Sequence, residues 1–244
     1  MRRGCHVVGA ESPVESLRRR ATSWPTLANM TSPEVELRRV WQRAAGRGHD
    51  GVLEGLLERH RDPRRRYHTA THVMWVCRHV DRLVAQHDEI GHPIADPDTV
   101  RMAALFHDAI HEPASATNES DSARLAAERL AEVGWDDARR AEVARLVELT
   151  AAHTVEADDL AGAVLLDADL AILGSDANEY AHYATAVRAE YAHVTDDAWR
   201  TGRARVLSHF LDRPTIYATE PMRTEREHRA RANLTAELAQ LTDT

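Results

Sequence analysis

Hydrophobic residues recur along most of this chain at intervals of three and four, the period of an amphipathic helix. The pattern predicts helices at about residues 33–45, 51–61, 68–88, 97–111, 119–133, 135–152, 160–173, 176–192, 195–211 and 224–241. Turn-forming residues separate most of them, as at Glu112-Pro113 and Gly174. No segment keeps up the alternation of apolar and polar residues that a half-buried strand requires. The chain is therefore predicted to be all-α.

The first 30 residues differ from the rest because they carry five arginines and little apolar periodicity. We expect residues 1–30 to be a mobile leader, or a segment outside the native protein, since Met30 lies just before the first clear helix signal. That signal is Pro33 at a first helical turn, preceded by Thr31 and Ser32 as N-cap candidates. Residues 31–244 are predicted to form a single domain.

Composition narrows the class of protein. Charged residues make up 29% of the chain and hydrophobic residues 43%, as in an ordinary soluble globular protein. The net charge of −8 argues against nonspecific nucleic-acid binding. Cys5 and Cys77 do not make a disulfide framework, and no segment is typical of a membrane span or a signal peptide. We therefore expect a cytoplasmic protein.

The candidate chemistry lies in polar residues placed inside apolar helical runs. His107-Asp108 interrupts "VRMAALFHDAI", Asp167 and Asp169 interrupt "AGAVLLDADLAILG", and His72 precedes another apolar run. Burying a carboxylate in such a helix is costly unless a cation meets it. For each residue alone, a buried hydrogen bond is the simpler interpretation. Together, two imidazoles and two carboxylates are a set that a divalent metal ion can satisfy, and they suit Mn, Fe, Co, Ni or Zn, and partly Mg.

Helix geometry limits how these residues can converge. The side chains of His107 and Asp108 leave a helix about 100° apart, so they can meet one ion near its C-terminal end. Asp167 and Asp169 are separated by about 200°, so at most one of them is expected to bind that ion directly. His68 lies one turn before His72, close to a predicted helix start, where it can face a bound phosphate.

The order His … His-Asp … Asp resembles the signature of the HD superfamily of metal-dependent phosphohydrolases. Further segments are similar to a bacterial HD-domain family described as predicted metal-dependent phosphohydrolases, over about residues 33–242: "RRYH…H", "ALFHDAIHEP", "NESDSA", "ELTAAH", "DADLAILG", "YATAVRAEYAHV", "GRARVLSHFLDRPTIY" and "ARANLTAEL". The resemblance implies an HD-domain-like helical bundle around a buried metal site.

The resemblance also implies a ligand set of His72, His107, Asp108 and Asp169. In HD proteins the last ligand usually follows a small residue, which matches Ala168-Asp169. Asp167 is then expected to contact a ligand rather than the ion. If the match to the HD pattern is shifted along the chain, Asp167 is the ligand in place of Asp169.

Relatives that bind two metals often carry one more histidine after the His-Asp pair and another before the last aspartate. His153 stands at the second of these places, whereas Asn118-Glu119 stands at the first. His153 and Glu119 are thus the candidate ligands of a second ion, although Asn118 and Glu119 also suit the start of a helix. Because a carboxylate substitutes only partly for a histidine, we expect one tightly bound ion.

The expected reaction is hydrolysis of a phosphoester in a nucleotide or a similar small phosphorylated metabolite, by a metal-activated water. Asp108 or Glu112 would orient the water or take its proton. His68, with arginines nearby, would offset the charge of the transition state. The candidate phosphate contacts are Arg66, Arg188 and Arg203, while the run Arg64–Arg66 is also typical of a solvated turn.

Two other functions fit the same residues. Some HD relatives hold two irons and use dioxygen to cleave carbon–carbon or carbon–phosphorus bonds, which would make this protein an oxygenase. A catalytically silent module that binds a nucleotide is the second alternative. The number of metal ions per chain distinguishes the oxygenase from a phosphohydrolase. The absence of turnover distinguishes the silent binding module from both enzymes.

Overall fold

The structure, a computed structural model, describes residues 32–113 and 115–242, and within them every regular element is a helix. The prediction of an all-α chain is confirmed. Ten α-helices follow one another, with a 3₁₀ turn at Leu170–Gly174: α1 Pro33–Ala45, α2 Asp50–His60, α3 Ala70–Glu89, α4 Pro97–Phe106, α5 Asn118–Glu132, α6 Asp137–Leu149, α7 Leu160–Asp169, α8 Ala177–Glu190, α9 Asp196–Leu211 and α10 Glu220–Thr242. The predicted leader, residues 1–30, lies outside the described residues.

Short polar side chains set several helix starts by accepting backbone N–H groups that have no partner within the helix. Asp96 accepts from Asp98, with Pro97 in the first turn, and Asp136 accepts from Arg139. The same chemistry begins α7, α8 and α9, where the caps are Asp159, Asp176 and Thr195.

The core forms around α3, whose buried face includes Val73, Val76, Val80 and Leu83. Helix α3 packs against α1, α4 and α7, and α4 in turn packs against α6. Helix α10 packs against α9 and against the 3₁₀ turn. The chain from Pro33 onward is one compact unit, so α3, α4 and α7 share a single core.

Several helices are shorter than their hydrophobic pattern predicts, α6 and α7 among them, and in α3 and α4 the difference lies at candidate site residues. Helix α4 ends at Phe106 rather than near residue 111, so His107 and Asp108 stand on the turn that follows it. Helix α3 begins at Ala70 rather than residue 68, which leaves His68 outside the helix. The guanidinium of Arg65 lies next to both places and donates to the carbonyls of His68, Asp108 and Ala109, which therefore have partners outside the helices.

No helix in the described part of the chain has the length and apolar character needed to cross a lipid bilayer.

Candidate metal centre

Four side chains from three helix ends meet in the core. His72 lies in the first turn of α3, His107 and Asp108 directly follow α4, and Asp169 is the last residue of α7. His72 Nε2 lies 3.0 Å from His107 Nε2, 3.2 Å from Asp108 Oδ2 and 3.3 Å from Asp169 Oδ1. His107 Nε2 lies 3.0 Å from Asp108 Oδ2 and 3.6 Å from Asp169 Oδ1. We call these four residues the main cluster.

The orientation of His107 suits a metal ligand. Its Nδ1 lies 2.9 Å from the carbonyl oxygen of Ala104 and donates a hydrogen bond to it. In the neutral imidazole this leaves a lone pair on Nε2, the nitrogen that faces His72 and the carboxylates. Both histidines are buried, and their Nε2 atoms face each other and the carboxylate of Asp108.

The electrostatics of the main cluster call for a positive charge at its centre. Burial opposes ionisation of His107, but the charges and hydrogen bonds of Asp108 and Asp169 outweigh it and hold its pKa well above the usual value. Burial likewise opposes ionisation of Asp169, and hydrogen bonds from His107, His153 and His72 outweigh it and hold its pKa well below the usual value. Shared protons or a metal ion can supply this charge. Two imidazoles with two carboxylates fit a divalent transition metal, and His72, His107 and Asp169 are close enough to hold one.

Asp167 lies on the other side of α7 from the main cluster and has a different partner. Its two carboxylate oxygens accept the backbone N–H groups of Ala218 and Thr219, each at 2.7 Å, just before α10 begins. Burial raises its pKa to about 6, although these two hydrogen bonds favour the charged form. Asp167 thus anchors the start of α10, and the structure brings only Asp169 to the two histidines.

His153, one of the two residues expected to bind a second ion, contacts the main cluster instead. Its Nε2 lies 2.9 Å from Asp169 Oδ2. The backbone of His153 adopts φ = 48°, and Arg213 donates to its carbonyl oxygen. Glu119 lies in the first turn of α5 and belongs to neither group of candidate ligands among the described residues. Neither group of candidate ligands therefore contains His153 and Glu119 together.

A second group of polar side chains adjoins the main cluster. His68, Asp108 and His111 have potential ligand atoms within 4.8 Å of one another. His68 Nδ1 lies 2.5 Å from Glu190 Oε2, and the rings of His68 and His111 stack with centroids 4.0 Å apart. Glu190 Oε1 also accepts the backbone N–H groups of Arg66, Tyr67 and His68. We call His68, Asp108, His111 and Glu190 the second cluster.

In the structure, the arginines predicted to bind phosphate have other partners. Arg203 is buried, pairs with Glu237 at 2.8 Å and lies over the ring of Tyr183. Arg188 donates to Asp196 and to the carbonyls of residues 191 and 194, which ties the α8–α9 turn together. Arg66 has an exposed side chain and uses its backbone N–H to bind Glu190.

Glu112, a candidate proton acceptor, is also outside both clusters. Its side chain is 57% exposed and pairs with Arg64 at 3.1 Å. Because α4 ends at Phe106, residue 112 lies on a loop rather than one helical turn beyond Asp108.

Three residues of the site were missed by sequence reasoning or assigned another place. His111 joins the second cluster, and its spacing of four from His107 was a usable signal. Arg65 is buried beside the site, so the expectation of a solvated turn at Arg64–Arg66 is wrong for its central residue. The ring of Tyr67 packs against that of His72 in a tilted arrangement, with ring centroids 4.7 Å apart.

Comparison of the chain with models of protein families, with curated proteins and with solved structures gives no match. Its function therefore has to be inferred from the chemistry of the two clusters.

Proposed function

We propose that this protein is a metal-dependent phosphohydrolase that acts on a small phosphorylated molecule, a nucleotide or a similar metabolite. The observation that carries the proposal is the convergence of His72, His107, Asp108 and Asp169 from three separate helix ends. A structural hydrogen-bond network would not require two imidazole nitrogens to face each other between two carboxylates. The order of these residues along the chain is also that of the HD signature.

In this proposal the four residues of the main cluster hold one divalent ion, which when bound acidifies water and polarises a phosphoryl oxygen. His153 holds the Asp169 carboxylate from the far side through its Nε2. Arg65 fixes the backbone carbonyls of Asp108 and Ala109, which sets the direction in which the Asp108 carboxylate leaves the turn. These contacts keep the donors in place before substrate arrives.

The proton of the attacking water needs an acceptor near the main cluster. Asp108 is the nearest carboxylate that also belongs to the second cluster, whereas Glu112 is exposed and paired with Arg64. We therefore assign the proton to Asp108 or to the ring of His68, which Glu190 orients. His68 and His111 border the side of Asp108 on which a phosphoryl group can be received.

A surface cavity adjoins this side of the site and has a suitable size for a small molecule. Its volume is about 590 Å³, within the usual range of small-molecule sites. His111 of the second cluster lines it, together with Arg59, Arg64 and Arg65. Acidic residues also line it, so the cavity is of mixed charge rather than strongly basic.

A screen for phosphate release, combined with metal analysis, tests the proposal. The purified protein is offered nucleotides and sugar phosphates with Mn²⁺, Co²⁺, Ni²⁺, Zn²⁺, Fe²⁺ or Mg²⁺. We expect release that a chelator stops and that His107→Ala abolishes, with one oxygen of the phosphate derived from ¹⁸O-labelled water. Tight nucleotide binding without any release would support a silent binding module instead.

An oxygenase remains the second candidate because the second cluster adjoins the main one and shares Asp108 with it. Two adjacent metal positions are what a di-iron oxygenase needs. Consumption of dioxygen in proportion to product, with two irons per chain, would favour this function over hydrolysis.

A further inference from the structure

Tyr67 lies against the main cluster, and the function described above gives it no task. Its ring packs against that of His72, with centroids 4.7 Å apart. Of the arginines predicted to bind phosphate, Arg188 and Arg203 pair with carboxylates elsewhere and Arg66 has an exposed side chain, so a phosphoryl group needs another hydrogen-bond donor. We propose that the hydroxyl of Tyr67 donates a hydrogen bond to a phosphoryl oxygen of the substrate at the main cluster. This role rests on the phosphohydrolase function proposed above and adds a residue that binds the substrate.

The hydroxyl of Tyr67 is a donor without an acceptor in the protein. Within residues 32–113 and 115–242, no atom forms a hydrogen bond with it, and its backbone N–H makes the hydrogen bond to Glu190 instead. The hydroxyls of Tyr180, Tyr183 and Tyr217 each have a protein partner. A phenol keeps its proton up to a pH of about 10, so Tyr67 can donate to an anion at neutral pH.

The surroundings of Tyr67 hold it in place before a substrate binds. Glu190 Oε1 accepts the backbone N–H of Tyr67 at 2.8 Å, and it also accepts those of the two residues beside it, which fixes the backbone. The ring of Tyr183 meets that of Tyr67 edge-on, with centroids 4.7 Å apart. The rings of His68 and His72 contact it at 5.0 and 4.7 Å between centroids. A donor that is already oriented in this way loses little conformational freedom when it binds a ligand.

The hydroxyl of Tyr67 also lies near the carboxylates of the main cluster. Burial raises the pKa of Tyr67 well above its usual value, and Tyr183, Asp169 and Asp108 raise it further. Electrostatic effects of this kind weaken with distance, so the two carboxylates are close to the phenol oxygen. Neither of them accepts a hydrogen bond from it. A phosphoryl oxygen bound at the main cluster would supply the acceptor that these carboxylates do not provide.

Two other roles for Tyr67 make different demands on its hydroxyl. A residue that only packs against His72 needs the ring and not the oxygen. A ligand of the metal ion needs the oxygen itself. The substitution Tyr67→Phe removes the oxygen and keeps the ring, so it distinguishes the three roles. Packing alone predicts no change, a metal ligand predicts loss of the ion, and a hydrogen bond to the substrate predicts weaker phosphate binding with the ion retained.

Binding of inorganic phosphate to the metal-loaded protein tests the proposal without any need for turnover. The wild type is compared with Tyr67→Phe and with the control Tyr191→Phe, since Tyr191 directly follows α8 and its ring packs on Trp199 instead. Chelator competition measures the affinity for Mn²⁺, and calorimetry measures the affinity for phosphate. We expect equal metal affinity in all three proteins. Phosphate affinity should fall by about 10–100-fold in Tyr67→Phe alone, the usual effect of losing a hydrogen bond to a charged group.

Kinetics on a substrate found by the phosphate-release screen give a second readout. If the hydrogen bond strengthens in the transition state, Tyr67→Phe should lower kcat more than it raises KM. Equal phosphate affinity in Tyr67→Phe and the wild type would overturn the proposal, and so would loss of the metal ion from Tyr67→Phe or a metal-loaded wild type that binds no phosphate. A wild type that binds phosphate but releases none from any substrate would refute the phosphohydrolase alone, because weaker phosphate binding in Tyr67→Phe would still support the hydrogen bond.

Discussion

Asp167 and Asp169 lie two residues apart on α7, and the structure assigns them opposite tasks. Asp169 contacts three imidazoles, those of His72, His107 and His153. Asp167 contacts two backbone N–H groups at the start of α10. The substitutions Asp169→Asn and Asp167→Ala should therefore separate metal binding from stability.

The magnitude for Asp167→Ala follows from the hydrogen bonds that it removes. Two buried N–H groups lose their acceptor, at about 1–3 kcal/mol each. The loss is partly offset because burial holds the pKa of this carboxyl near 6 rather than 3.8, so keeping it charged at pH 7 costs about 3 kcal/mol. Together these values allow a change in the free energy of unfolding between a gain of about 1 kcal/mol and a loss of about 3 kcal/mol, with no change in metal content.

The substitution Asp169→Asn is expected to lower the affinity for the metal ion. Loss of a residue that only orients a ligand typically lowers metal affinity by about 10–100-fold. Loss of a direct ligand should exceed this, so we expect a decrease of more than about 100-fold. Asparagine preserves the size of the side chain but removes the charge that pairs with the imidazoles, so metal affinity, rather than the stability of the metal-free protein, is the quantity that distinguishes the two variants.

Urea unfolding of metal-free protein and competition with a chromophoric chelator measure the two effects. Asp176→Ala is the matched control, since Asp176 also accepts two backbone N–H groups but lies on the surface, away from the main cluster. It should lose about 1 kcal/mol and keep its metal. Loss of metal in Asp167→Ala, or its retention in Asp169→Asn, would refute the assignment of the ligand.

Three further results are expected. His107→Ala and Asp108→Ala should each lose metal and activity while helix content measured by circular dichroism stays close to that of the wild type; normal metal content in both would contradict the site. His153→Asn, which tolerates φ = 48° and removes the contact with Asp169, should weaken metal binding by about 10–100-fold in chelator competition without emptying the site. Burial lowers the pKa of His60 to about 3, so between pH 6.5 and 3 the unfolded chain binds more protons and the unfolding free energy falls as pH falls, by up to about 1.4 kcal/mol per pH unit. The variant His60→Gln should lose this dependence of the unfolding free energy on pH, measured by urea unfolding at several pH values. An unchanged dependence would show that His60 is protonated in the native state.

Much of the main cluster could be predicted from sequence because its residues interrupt apolar runs. A polar residue in such a run must be buried, and a buried carboxylate needs a positive partner. His72, His107, Asp108 and Asp169 stood out for this reason, and the rotation between Asp167 and Asp169 indicated that only one would join them. The arginines predicted to contact phosphate had no such signal, since Arg188 and Arg203 pair locally or with α10 in ways that their helical spacing does not reveal.

The sequence by itself determined the helical class, most helix starts and the polar residues that make up the main cluster, because periodicity, capping and burial act over a few residues. Only the tertiary structure decided the second cluster. His68 meets Glu190 across 122 residues of chain, and Arg65 reaches the turn after α4, on which His107 and Asp108 stand. Hydrogen bonds of this kind depend on how helices pack, and helix packing is specified by the whole core rather than by any local pattern.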